Sequence, residues 1–130
     1  MSHFSQIKTK IRNLESLKAA LNDVGADWKP GPKGVRGYQG QTQAADVVIE
    51  QANGYDIGFR LNPDTQEYEL VADLQYWKQP LSVDGFLNQI TQRYAYHTVL
   101  QETSNQGFQV SEQANEEDGA IRLVLQRWGA

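Results

Sequence analysis

Arg93, Tyr96 and His97 lie within one short stretch, Gln92 to His97, of a 130-residue chain. A guanidinium, a phenol and an imidazole are groups with which a protein grips a carboxylate or phosphate and moves a proton near neutral pH. At about 100° per residue, Val83, Phe86, Leu87, Ile90, Tyr94 and His97 fall on one helical face, with Arg93 and Leu100 on its flank and Tyr96 outside it. Two readings follow. In one, Arg93 holds a small anion and His97 titrates beside it. In the other, Tyr94 is core, and Arg93 and His97, at i and i+4, hydrogen-bond to carboxylates or carbonyls as buried polar groups must. No serine or carboxylate pair stands at a spacing that makes a nucleophile or an acid/base couple recognisable, so no catalytic residue is assigned.

A second candidate surface is the run Lys33, Gly34, Val35, Arg36, Gly37, Tyr38, Gln39, Gly40. Glycine-rich backbone can cradle an anion with its N–H groups, and Lys33, Arg36, Tyr38 and Gln39 supply side chains for a ligand or partner. The run lacks the GxxxxGK[ST] pattern and the full dinucleotide fingerprint. The alternative is a flexible cover, with Tyr38 packed down and the glycines permitting turns. Trp77 and Trp128 complete the candidate binding residues, because exposed tryptophans are common interface anchors.

Composition narrows the classes. The length fits one domain, residues 1–130, with a core that needs no staples. A hydrophobic fraction of 39% and a charged fraction of 22% are those of a soluble globular chain, and no apolar run approaches the ~20 residues of a membrane span. The amino terminus shows no basic segment followed by an apolar block, so no signal peptide is expected. The absence of cysteine removes thiolate metal sites and cysteine nucleophiles, and two histidines leave little for zinc. Neither a metal nor a cofactor is expected. A net charge of −4 and a pI near 5.1 argue against a general nucleic-acid surface, although Lys29, Lys33 and Arg36 cluster.

The elements that would position these residues read as follows. His3 to Ile11 alternates as a strand. Asn13 caps a helix over about Leu14 to Val24, closed by Gly25. From Ala26 to Ala44 two prolines and several glycines break regularity, leaving a loop longer than most connections. Ala45 to Glu50, Tyr55 to Leu61 and Tyr68 to Trp77 alternate as three strands of an antiparallel meander, with Asn53-Gly54 as a hairpin turn. Ser82 caps the long helix, which Gly107 ends, and two further strands follow to Trp128. The order β-α-β-β-β-α-β-β contains a weak β-α-β-β pseudo-repeat. Its economical packing is an α+β fold, a single antiparallel sheet with two helices on one face. The other face is expected to meet water or a partner with Lys8, Lys10, Asp46, Glu50, Asp56, Arg60, Glu69, Asp73, Arg122 and Gln126, and with Trp77 and Trp128 near the edges.

Six blocks in order, MSHF at the start, VRGYQGQT from Val35, NGYDIGFR from Asn53, YELVADL from Tyr68, QRYAYH from Gln92 and IRLVLQRW from Ile121, make the chain resemble the conserved hypothetical-reading-frame family of cyanobacteria and algal plastid genomes, the thirty-fifth of the ycf series. The resemblance spans nearly the whole chain. It implies the cytoplasm of a cyanobacterium or the stroma of a plastid, and no activity, cofactor or catalytic residue. The functional expectation is therefore a small non-enzymatic module that binds a protein partner. The alternative is a small-anion sensor or enzyme built on Arg93, Tyr96 and His97 with Arg36 reaching over. Nucleic-acid binding ranks last.

Overall fold

The computed structural model describes residues 3–31, 34–115 and 121–127. Helix α1 spans Leu14–Asp23, and Asn13 Oδ1 accepts the Ser16 N–H at 3.0 Å to cap it. Gly25 follows the helix at φ 77°, a left-handed conformation that costs glycine nothing; its N–H and that of Ala26 close onto Asn22 and Leu21. Helix α2 spans Val83–Asn105, and Ser82 Oγ accepts the Gly85 N–H at 3.1 Å. Both caps are those the sequence offers. The helix ends just before Gly107, whose N–H bonds to Ser104.

The main sheet has five strands in the order β1-β7-β6-β5-β2, all antiparallel, where β1 is Ser5–Lys8, β2 Trp28–Pro30, β5 Val47–Ile49, β6 Ile57–Asn62 and β7 Glu67–Ala72. Alternation sends Val47, Ile49, Ile57, Phe59, Leu70 and Ala72 to one side, where they meet Ile11, Leu17, Ala20 and Leu21 around α1 and Phe86 and Ile90 of α2 in a single core. The fold is α+β, with both helices on one face of an antiparallel sheet, and the central meander is β5-β6-β7. Its strands are shorter than alternation alone suggests. Residue Asp73 leaves the ladder because its side chain accepts the Gln75 N–H at 3.2 Å and starts a 3₁₀ turn over Leu74–Tyr76.

Three departures from the expected layout have physical causes. The segment 26–44 is not structureless: besides β2 it holds β3, Val35–Arg36, and β4, Thr42–Gln43, which pair as a two-stranded ribbon with a 3₁₀ turn, Tyr38–Gly40, at its tip. Prolines and glycines limit these strands to two or three residues. Secondly, the ribbon lies across the sheet face opposite the helices, so that face is not open. Val35, fully buried, sits on Gly58, where any Cβ would collide with Val35 Cγ2 and Ala45 Cβ, and the Phe4 ring lies against Gly37. Asp56, Glu69 and Asp73, expected in water, are buried along with Val48 and Val71; Lys8, Lys10, Asp46 and Glu50 remain exposed. Thirdly, the last two strands, β8 Phe108–Asn115 and β9 Ile121–Arg127, pair with each other and join no strand of the main sheet. They pack against α2, whose 23 residues extend about 35 Å, farther than any strand of the sheet. The expected single sheet is thus a five-stranded sheet with two separate ribbons, and the two halves of the chain do not repeat in the sheet. No helix among the described residues is long and apolar enough to cross a membrane.

Candidate functional site

Two polar clusters stand on opposite sides of the sheet. On the ribbon side, Arg36 reaches down to Asp56 at the start of β6. Arg36 Nε donates to Asp56 Oδ2 at 2.8 Å, Nη2 donates to Oδ1 at 2.9 Å, and the Arg36 backbone N–H donates to Oδ2 at 3.0 Å. The Asp56 N–H returns a bond to the Arg36 carbonyl at 3.0 Å. This fork matches guanidinium to carboxylate in plane. Burial pushes the Asp56 carboxyl up, but the Arg36 side chain, the Arg36 and Gln51 N–H groups and the guanidinium charge outweigh it and hold the group below the usual carboxylate range. Arg36 is raised in turn by Asp56. The pair is asymmetric: the Asp56 side chain is 1% exposed and that of Arg36 is 51% exposed.

Beside this pair opens a cleft of about 410 Å³ lined by Lys29, Pro30, Gly31, Gly34, Arg36, Val48, Glu50 and Asp56. Lys29 Nζ lies 3.2 Å from Glu50 Oε1, and Arg36 Nη2 lies 3.8 Å from Glu50 Oε2. Cations and carboxylates alternate along its wall. Among the described residues lining the cleft, the Gly31 N–H donates to Asp46 and the Gly34 N–H to Gly31, so these two backbone donors are already engaged. The exposed polar groups described along its wall are side chains, Lys29, Arg36 and Glu50.

On the helix side, Asp23 in the last turn of α1 takes Arg93 Nε on Oδ2 at 2.8 Å, and His97 Nε2 lies 2.5 Å from the same oxygen. The Arg93 guanidinium stands 4.5 Å over the Tyr96 ring, which meets the His97 ring edge-on at 5.1 Å. A carboxylate at the negative end of a helix is unfavourable by itself; the two donors from α2 offset it. Burial pushes Asp23 up, yet the His97 and Arg93 hydrogen bonds and charges bring it below its ordinary value. Nearby, the Tyr94 hydroxyl accepts the backbone N–H groups of Arg12 and Asn13, both at 3.0 Å. The cluster therefore clasps α1 to α2. An incoming anion would have to displace Asp23 from contacts of 2.8 and 2.5 Å, whereas Glu50 across the sheet sits in looser ones.

The candidate residues thus separate. Arg36, Tyr38 and Gln39 are on the ribbon, with Tyr38 half-buried and Gln39 exposed at the tip in a left-handed conformation, φ 53°. Arg93, Tyr96 and His97 come together around Asp23, and Arg36 does not reach them. Trp77 is packed edge-on to Phe86 at 5.3 Å, its Nε1 donating to the Leu81 carbonyl at 2.8 Å, so it fastens the entry to α2 rather than standing free at an edge. Lys33, Trp128 and the side chains of Arg122 and Gln126 lie outside the described residues. Sequence reasoning missed Asp23 and Glu50 as partners and placed Asp56 in water. Asp23 carried a signal, a carboxylate in the last turn of a helix; Glu50 and Asp56 carried none, since their partners arrive from the edge strand β2 and from the ribbon.

A family model described as "Protein of unknown function (DUF1257)" matches residues 20–124. Over 128 residues, and 98% of each chain, the sequence is 48% identical to the uncharacterized protein ycf35 of Cyanophora paradoxa. It is 49% identical over 128 residues to that of Guillardia theta and 41% identical over 128 residues to that of Pyropia yezoensis. No solved structure matches.

Proposed function

Since the chain belongs to the DUF1257 family of proteins of unknown function, its chemistry has to be read from its own side chains, and we propose that it is a small non-enzymatic module that binds a protein partner through the cleft under the β3–β4 ribbon. One observation carries the reading. The cleft exposes Lys29, Glu50 and Arg36 side by side at 58%, 48% and 51%, while the buried Asp56 fork holds Arg36 in place from below. A long cation anchored at one end and open at the other offers a partner fixed donors at low entropic cost. Location in the cytoplasm of a cyanobacterium or in a plastid stroma is part of the same proposal. The Lys29 side chain is more than half exposed and its ammonium meets Glu50, so Lys29→Ala removes a surface charge while the β2 backbone pairing with Val48 is kept. Affinity purification from cells of the source organism is expected to recover a protein with the wild type and to lose it with Lys29→Ala. The same proteins recovered equally by both would overturn the assignment to this cleft.

A further inference from the structure

Glu50 occupies a position that a guest would need. Its two carboxylate oxygens are divided between two cations, Oε1 towards Lys29 at 3.2 Å and Oε2 towards Arg36 at 3.8 Å. Resting on the reading of the cleft as a binding surface, we propose that Glu50 is a resident competitor, standing in for a carboxylate of the partner, and that binding proceeds by exchange of one for the other between Lys29 and Arg36.

Three features support exchange. First, the resident pair is weak: exposed ion pairs contribute little, because water screens them and two long side chains must be held in one geometry. The distance of 3.8 Å to Arg36 is beyond hydrogen-bonding reach, so Glu50 can swing out at small cost. Secondly, Arg36 does not depend on Glu50 for its position, since Asp56 and the ribbon backbone already fix it; removing Glu50 leaves the receptor standing. Thirdly, the base of the cleft is apolar at Val48, which is buried there. A carboxylate entering along the Glu50 track replaces one charge by another, so the balance among the described side chains of the cleft is kept. A doubly charged phosphate does not reproduce this balance.

The test uses the full-length protein labelled with nitrogen-15, an acetylated and amidated tetraglutamate peptide as probe, its tetraglutamine counterpart as control, and inorganic phosphate as a third arm at matched ionic strength. The amides of Gly31, Gly34 and Glu50 report the cleft, and those around Asp23 report the opposite side. Tetraglutamate is expected to move the cleft amides alone, to bind Glu50→Gln about five-fold more tightly than wild type, and to bind Lys29→Ala about five-fold more weakly, the scale of one exposed ion pair. Glu50→Gln binding no more tightly than wild type while Lys29→Ala still weakens binding overturns the competitor role and leaves the binding surface in place. No response of the cleft amides in any variant overturns both. Phosphate showing the same five-fold gain as tetraglutamate overturns the assignment to a carboxylate.

Discussion

Arg36 and Asp56 interact across a steep gradient of exposure, and the two halves of the pair are therefore not equivalent to remove. Arg36→Ala leaves a carboxylate that is 1% exposed without its counter-charge, which is expected to cost about 3–5 kcal/mol. Asp56→Asn leaves a guanidinium that turns into water, and its one amide oxygen can replace either Oδ2, which takes the Arg36 N–H, or Oδ1, which takes the Gln51 N–H; with no buried charge left unpaired, its cost is expected to be smaller than that of Arg36→Ala. Urea denaturation of both variants checks the order, and Asp56→Asn proving the more damaging would contradict it. A second expectation concerns acid. Asp23 and Asp56 are both held below their ordinary values. Their contribution is complete above the unfolded-state value near ~3.9 and is lost as pH falls through the lower folded-state values. Unfolding free energy is expected to decline from about pH 5 towards about pH 2, with Asp23→Asn shallower than wild type; parallel profiles would rule out the Asp23 share. At this scale Arg36 was legible as a cation in an unusual glycine-bearing loop, and Arg93 with His97 as a pair needing an acceptor. Asp23 showed only as a carboxylate in the last turn of α1, and Asp56, the acceptor of Arg36, did not show at all, because alternation along a strand says which face a residue takes and nothing about what arrives to cover it.

Among the elements, the ribbon is the one whose docking depends on a missing side chain. Gly58 leaves room for Val35 in the middle of β6, where β propensity alone would favour a branched residue. Gly58→Ala is expected to destabilise the protein by about 1–3 kcal/mol through overpacking. Val35→Ala, itself destabilising through a small cavity, should be less harmful in the Gly58→Ala background, giving a favourable coupling in a double-mutant cycle. Strict additivity would place the ribbon elsewhere. The helices were readable almost to the residue, since Asn13, Gly25, Ser82 and Gly107 each carry local chemistry that ends or begins a helix. The short strands β2, β3 and β4 were not readable. Two or three residues give no periodicity, and their pairing is set by contacts with β5 and with each other.

For the whole molecule, α+β class and the one-sided placement of the helices followed from the amphipathic patterns, while the division into one sheet and two ribbons depended on which edges meet in three dimensions. That division implies a gradient of local stability. Strands β6 and β7 are flanked on both edges and largely buried, β6 over Ile57 to Phe59 and β7 over Tyr68 to Ala72, whereas β3 and β4 pair only with each other. Hydrogen exchange is expected to be slowest for amides of β6 and β7 and markedly faster for those of the ribbon; equal protection would mean that the ribbon opens only with global unfolding. The Tyr94 phenol adds a constraint of another kind. It satisfies two backbone donors at the start of α1 from a position 81 residues beyond Asn13, and a helix of 10 residues is too short to persist alone. On the ribosome, where about 5–20 residues are added each second, that gap corresponds to roughly 4–16 seconds. Strand β1 waits as well, since its neighbour is β7. Segments made before the central sheet thus close only after it, and nascent α1 stays open until α2 has emerged to complete it.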